Sequence, residues 1–493
     1  MGYIKCVSLR NIESADREFW ELIAQTAFAN PFSAERRELN LKLTGSPRGD
    51  AQVLFEAVTD RLQKMDAASL RFRDFREEDR DVMRHAFLFQ VYHRFFDALD
   101  QLVLEQIRAG EKSCKVAFAT ELLDALGSRG FSRDESLRFF GIFYQLRRAH
   151  FFIVHGLIGQ SLSMQELRRR LWNNVFTSNI RWYDRFLWNR MEDFSTLLLG
   201  ETGTGKGAAA AAIGRSSFIP FHEKAGCFAE SFAENFISLN LSQFPETLIE
   251  SELFGHRKGA FTGAIEAHQG VFARCSPHGS IFLDEIGDVS VPVQIKLLQV
   301  LQERVFSPVG SRDKVRFRGR VIAATNKSLE KLRQEKLFRD DFYYRLCSDV
   351  IVLPTLRQRL EELPSELDAL LEHIMARMTG EKVSELVDVV RTALKNSPGE
   401  RYGWPGNFRE LEQAIRRILL NNRYEGDVQI GDSTDRFLLD LSSGSLNAEE
   451  VLSHYCSLLY QRHGTFEEVA RRTNLDPRTV KRYVEHKNGV KKS

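Results

Sequence analysis

The feature that most constrains this chain is the run at 197–206, Leu-Leu-Leu-Gly-Glu-Thr-Gly-Thr-Gly-Lys. A short apolar stretch predicts a buried strand, a glycine-rich loop follows it, and the alanine run at 208–212 predicts a helix. Glycine lets the loop turn tightly enough for successive backbone N–H groups to point at an anion. The positive end of the helix and the charge of Lys206 add to that attraction. The pattern predicts a phosphate-binding loop, and hence a nucleoside triphosphate as ligand.

The predicted nucleotide contacts begin with the residues of this loop. They are Gly200, Glu201, Thr202, Gly203, Thr204, Gly205, Lys206 and Gly207. Gly207 stands where many such loops have a Ser or Thr that ligates magnesium, so other groups or water must hold the metal. The alternative is a plain glycine turn between a strand and a helix.

Two carboxylates follow a second apolar strand, Ser-Ile-Phe-Leu-Asp-Glu at 280–285. At the carboxyl edge of a parallel sheet, such a pair lies beside the phosphate loop. Asp284 would hold magnesium directly or through water, and Glu285 would orient and deprotonate the attacking water. The alternative is a pair of solvated charges at the end of a strand.

Polar and basic residues further along the chain complete the predicted phosphate site. A third strand, 320–326, ends in Thr325 and Asn326, which are placed to contact the terminal phosphate or position the water. Arg339 and Arg345 lie six residues apart, so a helix would put them on different faces. Arginine near a phosphate stabilises the charge that spreads in the transition state, whereas in isolation these two arginines would be surface ion pairs.

A glycine-framed aromatic residue marks a separate loop. The string is Gly259, Ala260, Phe261, Thr262, Gly263 and Ala264. Small neighbours pack poorly around Phe261, so the string suits a loop tip that presents one apolar side chain and changes shape. A simple hairpin turn is the alternative.

Composition bounds the rest of the chain. A length of 493 residues suggests roughly three domains at about 150 residues each, and a net charge of +2 points to no particular partner. Six cysteines are scattered singly, which is typical of reduced thiols in a cytoplasm. The polar N-terminus predicts no signal peptide, and no apolar stretch reaches the roughly 18 uncharged residues of a membrane span.

The first 170 residues predict an all-helical domain of unknown type. Phe87, Val91, Phe95 and Leu99 recur at helical spacing, and so do Phe139 and Phe143 further on. Such aromatic stripes are more often core, although they could line a ligand pocket. A helix is also predicted at 181–193, and an aromatic-rich stretch follows at 218–236.

The C-terminal segment predicts a helix-turn-helix. Asp476 is a good N-cap and Pro477 a good first residue for the second helix, whose Val480 and Val484 can pack on the preceding helix. The residues left for DNA contact are Arg478, Thr479, Lys481 and Arg482. From Arg462 onward the sequence has nine basic and four acidic residues, and phosphate binding needs such a local excess of positive charge. The alternative is a basic helical hairpin used for protein contact.

Together these motifs resemble the AAA+ activators of sigma-54 RNA polymerase, the bacterial enhancer-binding proteins. The resemblance covers residues 180–425 and the C-terminus, and rests above all on the string at 259–264, which in that family contacts the sigma factor. It implies a multidomain protein: an all-α N-terminal domain (1–170), an α/β AAA+ P-loop NTPase core (171–354) with a helical lid (355–441), and a Fis-type helix-turn-helix (446–493).

The resemblance also assigns roles to individual residues. Asp284 and Glu285 would be the Walker B pair, and Asn240 a switch that couples Glu285 to the loop. Thr325 and Asn326 would be sensor I, and Arg409 sensor II on the lid. Arg339 and Arg345 would reach into the neighbouring subunit's site, which implies a ring, usually a hexamer.

The implied function is activation of transcription. The chain would bind double-stranded DNA upstream of a promoter, hydrolyse ATP with Mg²⁺ and remodel the closed complex of sigma-54 RNA polymerase in the cytoplasm. The rival is an AAA+ ATPase that remodels another protein, with the C-terminal module for targeting. The sequence departs from the family at Gly207, usually Glu, at Pro354-Thr355, usually Pro-Pro, and in a longer stretch between 213 and 236.

Overall fold

The computed structural model describes residues 9–46, 51–65, 70–396, 402–424, 441 and 446–487. Their packing divides them into two compact units. The first unit contains the described residues up to 392 together with Tyr402–Leu420, and the second contains the described residues of 393–396, 421–424, 441 and 446–487. The sequence Leu-Ser-Ser-Gly-Ser at 441–445 predicts a linker, and its residues 442–445 lie outside the described residues.

The N-terminal region is helical, as predicted, with eight successive helices among its described residues. They are α1 (Ser14–Thr26), α2 (Ala34–Thr44), α3 (Ala51–Lys64), α4 (Glu77–Arg94), α5 (Phe96–Ala109), α6 (Ala119–Ser128), α7 (Arg133–Gly156) and α8 (Leu162–Phe176). Ser132 and Glu135 form a capping box that fixes the start of α7. Helix α8 crosses the predicted boundary between residues 170 and 171.

The helix predicted at 181–193 is confirmed in part. Helix α9 (Ile180–Trp182) continues directly into a π-helical segment (Tyr183–Leu187), and after a break a 3₁₀ turn (Met191–Asp193) follows. Tyr183 is fully buried, and its hydroxyl donates to Oε1 of Gln145 in α7 at 2.7 Å. This tertiary contact of Tyr183 coincides with the point at which the backbone changes from α-helical to π-helical geometry.

A five-stranded parallel sheet forms the centre of the first unit. Its strands are β1 (Thr196–Leu199), β4 (Phe236–Asn240), β5 (Ser280–Asp284), β8 (Arg320–Thr325) and β9 (Asp349–Val352), in the order β4-β5-β8-β1-β9. Two short antiparallel ribbons accompany it, β2 (Phe221–His222) with β3 (Cys227–Phe228) and β6 (Val305–Phe306) with β7 (Val315–Arg316). Because all five main strands run parallel, their polar carboxyl ends meet at one edge.

Helices cover the faces of this sheet and continue into the lid. Around the sheet lie α10 (Lys206–Gly214), α11 (Glu246–Phe254), α12 (Val271–Arg274), α13 (Val291–Glu303), α14 (Leu329–Gln334) and α15 (Asp340–Leu346). The lid contains α16 (Leu356–Glu362), α17 (Glu366–Thr379), α18 (Ser384–Asn396) and α19 (Asn407–Asn421). The architecture is the predicted α/β AAA+ core with a helical lid.

The aromatic-rich stretch after α10 forms a β-hairpin that belongs to the core of the N-terminal helices. Phe221, Phe228 and Phe232 are buried in the same apolar cluster as Phe140 and Tyr144 of α7. The ring of Phe228 stacks on Tyr144 with centroids 4.1 Å apart. The extra length of this connection therefore packs the α/β core against the N-terminal region.

The second unit contains the C-terminal three-helix module. Its helices are α20 (Ala448–His463), α21 (Phe466–Thr473) and α22 (Pro477–Lys487). Cys456, Val469, Val480 and Val484 are buried between them. Across the described ranges, no helix is both long and apolar enough to span a bilayer.

Candidate functional site

The glycine loop has a backbone that only glycine adopts readily. Gly203 and Gly205 have φ of +80° and +98°, in the left-handed region. A Cβ at Gly203 would also collide with the carbonyl oxygen of Gly406 in the lid. The helix α10 starts at Lys206, directly after Gly205, so its free N–H groups face the loop. This is the geometry of an anion cradle.

Lys206 is positioned at the base of this cradle. Its side chain is buried, and Nζ donates to the carbonyl oxygens of Gly200 at 2.9 Å and Glu201 at 3.2 Å. Burial lowers the pKa of Lys206, while the nearby carboxylates of Glu285 and Asp284 counteract that effect. The amine is therefore held between the loop and the two predicted catalytic carboxylates.

Glu285, Asn326 and Thr202 form a connected group across three neighbouring elements. The backbone N–H of Asn326 donates to Oε2 of Glu285 at 3.4 Å, and Nδ2 of Asn326 donates to Oγ1 of Thr202 at 2.9 Å. Glu285 itself has a φ of +55°, a strained value for a residue with a side chain. Asp284 accepts the N–H of Glu285 on Oδ1 at 3.1 Å. The structure thus brings four predicted site residues to one edge of the sheet.

Two other predicted residues make different contacts. Thr325 is fully buried, and its hydroxyl accepts the N–H of Lys327 at 3.1 Å. Asn240 lies opposite Asp284 in the strand register, but its Oδ1 accepts from the N–H and hydroxyl of Ser242 at 3.0 and 2.7 Å. The switch role of Asn240 remains a prediction, since the contact that it makes here is local.

The two arginines that were predicted to reach a neighbouring subunit's site lie apart from each other, as their spacing predicted. Arg339 precedes α15 and forms a half-exposed ion pair with Asp341 at 2.6 Å. Arg345, within α15, donates through Nε and Nη2 to the carbonyl oxygen of Leu301 at 2.9 and 2.8 Å. A role in a neighbouring subunit's site would require each arginine to leave these partners.

The lid contributes contacts to the phosphate loop that the sequence did not reveal. Asn407 is fully buried with a φ of +52°, and its Nδ2 donates to Oε2 of Glu201 and to the carbonyl of Thr202, both at 3.1 Å. The N–H of Phe408 donates to the carbonyl of Gly203 at 3.0 Å. The one sequence signal that could have indicated this contact is the pair Gly406-Asn407 at the start of α19. Arg409, the predicted sensor II residue, is exposed and close enough for its charge to lower the pKa of Lys206 further.

A second lid contact joins Arg357 to Glu201. Nη1 of Arg357 donates to Oε2 of Glu201 at 2.9 Å, and Nη2 makes a further bond to Oε1. Hydrogen bonds from Arg357 and then Asn407 hold the pKa of Glu201 below its usual value. The lid and the loop are therefore connected through the side chain of one loop residue.

The string at 259–264 forms a tight exposed loop between α11 and α12. The N–H of Gly259 donates to the carbonyl of Ala264 at 2.8 Å, which closes the loop. Phe261 is 37% exposed and packs edge-to-face on His256, with centroids 4.9 Å apart, while Thr262 is exposed. The next residue, Ile265, is 77% exposed. Phe261 in the loop and Ile265 directly after it therefore present two apolar side chains, one more than the sequence predicted.

In the C-terminal module, α22 starts where the sequence predicted. Oδ1 of Asp476 accepts the N–H of Arg478 at 2.8 Å, as expected of an N-cap. Val480 and Val484 are buried, whereas Arg478, Lys481 and Arg482 are exposed and Thr479 is half-buried. The helix thus leaves one basic face open to solvent.

The sequence of this chain was compared with protein-family models and with the sequences of known proteins. Residues 182–352 match the family model described as the sigma-54 interaction domain. The chain is 36% identical over 307 residues to the DNA-binding transcriptional regulator NtrC of Azospirillum brasilense, covering 62% of this chain and 56% of that protein. It is 39% identical over 228 residues to the regulatory protein AtoC of Escherichia coli, covering 46% and 45%.

A third relative shows the same extent of similarity. The Nif-specific regulatory protein of Azotobacter vinelandii is 41% identical over 223 residues, 45% of this chain and 39% of that protein. The chain thus spans about half the length of the curated relatives it matches. Residues 182–352, which carry the phosphate loop, the two carboxylates and the loop at 259–264, are therefore similar to a sigma-54 interaction domain.

Proposed function

We propose that this protein is an ATP-dependent transcriptional activator that binds DNA upstream of a promoter and remodels the closed complex of sigma-54 RNA polymerase. The observation that carries the proposal is the exposed string at 259–264 within a domain that also holds a connected phosphate site. An ATPase that remodels another protein has no reason to present this string. The rival function therefore has no observation in its favour.

The proposed hydrolysis follows from the positions of the chain's own groups. Gly203, Gly205 and the start of α10 would hold the phosphates, and Lys206 would contact the outer ones. Glu285 would accept the proton of the attacking water, and Asn326, bonded to the loop through Thr202, would position the terminal phosphate. The strained backbone of Glu285 is consistent with a side chain held for this task.

The carboxylate available for magnesium is that of Asp284, half-buried at the end of β5. Within the described ranges, no cluster of three or more His, Cys, Asp or Glu side chains could hold a metal by itself. This fits Mg²⁺, which usually binds one or two carboxylates together with substrate phosphates and water. When bound, the ion would neutralise charge on the phosphates.

Assembly and DNA binding complete the proposal. Arg339 and Arg345 would leave Asp341 and the Leu301 carbonyl to contact a nucleotide on the next subunit of a ring, a hexamer by family resemblance. The basic face of α22, with Arg478, Thr479, Lys481 and Arg482, would enter the major groove. The exposed positions of Arg478, Lys481 and Arg482 support that role.

The first experiment tests hydrolysis. Glu285→Gln should retain ATP binding and lose turnover by about 10²–10⁴-fold, because only the general base is removed. Lys206→Ala should weaken binding itself. Turnover within a few-fold of wild type in Glu285→Gln would contradict the assignment.

The decisive experiment tests the sigma-54 contact. Purified protein, sigma-54 and ADP–aluminium fluoride, a transition-state analogue, are combined and resolved on a native gel. We expect a trapped complex for the wild type and none for Phe261→Ala or Thr262→Ala. Loss of the edge-to-face pair of Phe261 should cost only about 0.5–1.5 kcal/mol of stability, so folding should persist.

Ile265→Ala is the matched control, because Ile265 is more exposed than Phe261 and lies just outside the string. Trapping by this variant would show that the string itself is recognised. A wild-type protein that hydrolyses ATP but forms no trapped complex would favour the rival remodelling ATPase. Equal trapping by Phe261→Ala would remove the loop from the mechanism.

A further inference from the structure

The N-terminal region contains a cavity that the nucleotide site does not use. Its volume is about 240 Å³, and it lies between the N-terminal helices and the segment at 180–184 that leads toward β1. Aromatic rings form much of its wall. Among them are Phe28, Tyr92, Phe96, Phe143, His150 and Trp172.

The size and wall of the cavity indicate what it could hold. An apolar protein cavity of about 150 Å³ can take up benzene, so a cavity of this volume suits roughly ten non-hydrogen atoms. Aromatic side chains favour a flat apolar ligand, because rings pack face-to-edge or offset at little entropic cost. A single ring with a short substituent fits these limits.

Two carboxylates lie in or next to the cavity wall, and each has a cationic partner. Asp100 accepts from Nε and Nη2 of Arg147 at 2.6 and 2.7 Å, and this guanidinium lies 3.7 Å over the ring of Phe96. Asp184 lies 3.3 Å from Arg138. These charges are compensated within the protein and are not available to a ligand.

Arg36 is different, because its partners are neutral. It lines the cavity and donates to Oδ1 of Asn40 at 3.1 Å and to the carbonyl oxygen of Thr26 at 2.8 Å. In the described part of the chain, no carboxylate lies within ion-pair distance of Arg36. Arg36 is half-buried, and a cation withdrawn from water without a counter-charge favours an anionic ligand beside it.

The histidines on the wall do not change this charge balance near neutral pH. Burial lowers the pKa of His93 and of His150 to about 4, and both therefore remain uncharged. The surplus positive charge of the cavity is thus that of Arg36.

Helix α7 connects this cavity to the nucleotide site. Phe143, Arg147 and other residues of α7 line the cavity, while Arg148, which is fully buried, reaches the segment that follows the phosphate-loop helix. Arg148 donates to the carbonyl oxygens of Arg215 at 2.9 Å and Ser217 at 2.8 Å. A shift of α7 would therefore move or break the hydrogen bonds that hold the segment after α10.

The loop after α7 also contacts the lid. Oε2 of Glu366 accepts the N–H groups of Gln160 and Ser161 at 2.7 and 2.6 Å. Arg359 pairs with Glu366 at 2.5 Å and donates to the carbonyl of Ile158 at 2.5 Å. One helix and its loop thus reach the cavity, the phosphate-loop helix and the lid.

We propose that the cavity binds a small effector, a single-ring aromatic carboxylate whose acid group pairs with Arg36, and that its binding alters ATP turnover through α7. The ligand-binding half is independent of the proposed function, whereas the effect on turnover rests on the proposed ATPase activity.

Calorimetry on the 493-residue protein without nucleotide tests the ligand-binding part of the proposal. The probes are benzoate, phenylacetate and 4-hydroxybenzoate, each with its neutral amide, and benzylamine as the charge-reversed compound. We expect at least one acid to bind about tenfold or more tightly than its amide, and no binding of benzylamine. Absence of binding by all three acids up to millimolar concentration, or equal affinity of acid and amide, would overturn the proposal.

Two variants assign the site. Arg36→Ala should weaken binding of the acid by about tenfold or more and leave the amide within about twofold, a difference that a purely structural role would not produce. Arg37→Ala is the matched control, since Arg37 is exposed, its hydrogen bond goes to Gln165 and it does not line the cavity. If Arg36→Ala fails to fold, Ala29→Leu, which fills part of the cavity, should abolish binding of acid and amide alike. Unchanged binding in Ala29→Leu would place the ligand elsewhere.

ATP turnover with and without the bound acid tests the second half. We expect a change of at least about threefold in the wild type and none in Arg36→Ala. Calorimetric binding with unchanged turnover would overturn the effect through α7. If the protein hydrolyses no ATP under any condition, the proposed function fails, and the calorimetric result still decides whether the effector site exists.

Discussion

His150 should make the N-terminal region sensitive to mild acid. It lies in α7 on the cavity wall, with its ring stacked on Phe32 at 5.7 Å between centroids. Burial, and then the positive charge of Arg147, lowers its pKa to about 4. In the unfolded chain the pKa would be near 6.5, so between these values the unfolded state binds more protons. Stability therefore falls as the pH decreases below about 6.5 and continues to fall until about 4.

The magnitude follows from these two pKa values. Lowering the pH from 7 to 5 should cost about 2 kcal/mol through His150 alone. His85, which is buried, and His93, which is half-buried, also have pKa values lowered to about 3 and about 4, and each adds a loss of the same order. A protein of two units need not unfold in one step, so the effect should be measured as the free energy of local opening of α7.

Hydrogen exchange of α7, followed by mass spectrometry and corrected for intrinsic rates, measures that opening. Protection of the wild type should fall steeply between pH 7 and pH 5. In His150→Phe, which retains a ring against Phe32 but cannot be protonated, the fall should be smaller by about 30-fold, the equivalent of 2 kcal/mol. His155→Gln, an exposed position on the same helix, should behave as wild type. An equal fall in His150→Phe and wild type would refute the reasoning.

Three further outcomes are expected. Arg148→Met should destabilise the first unit by about 1–3 kcal/mol in urea unfolding, because two half-buried carbonyls lose their donor, and an unchanged midpoint would contradict this contact. Arg357→Ala removes a half-exposed ion pair to Glu201, so the loss of stability should be less than about 1 kcal/mol. We expect ATP binding to weaken several-fold in equilibrium titration. Unchanged affinity would show that the contact from Arg357 does not shape the phosphate loop. Replacing Arg478 and Lys481 with Ala should reduce DNA affinity in gel shifts and lower the salt slope by about one per lost phosphate contact, while ATPase activity persists; unchanged DNA binding would make the module a protein-contact element.

The parts of the structure that the sequence predicted are those with a local physical cause. Glycines that require positive φ, an apolar strand before them and a helix after them identified the phosphate loop at 200–207. The N-cap at Asp476 predicted the start of α22 because the capping bond joins residues only two apart. Parallel strands bring their carboxyl ends together, so Asp284, Glu285 and Asn326 could be placed at one edge.

The parts that the sequence did not predict depend on contacts between distant segments. Asn407 meets Glu201 across 206 residues, and no local pattern encodes that bond. The segment at 183–187 is π-helical where its pattern predicted an α-helix, and Tyr183 at its start is buried against Gln145. The aromatic stripes of α4 and α7 were compatible with a core or a pocket, and only the packing shows that they form both.

The hairpin at 221–228 has a consequence for how the protein can be divided. Although it lies within the segment predicted as the α/β core, its phenylalanines complete the core of the N-terminal helices. A truncated protein that starts at residue 171 would expose Phe221, Phe228 and Phe232 to water, and its aggregation could be mistaken for loss of activity. Conversely, the N-terminal helices transplanted onto a related ATPase would need this hairpin to travel with them. The module that evolution could exchange as a unit is therefore discontinuous in sequence, with one piece before the phosphate loop and another after it.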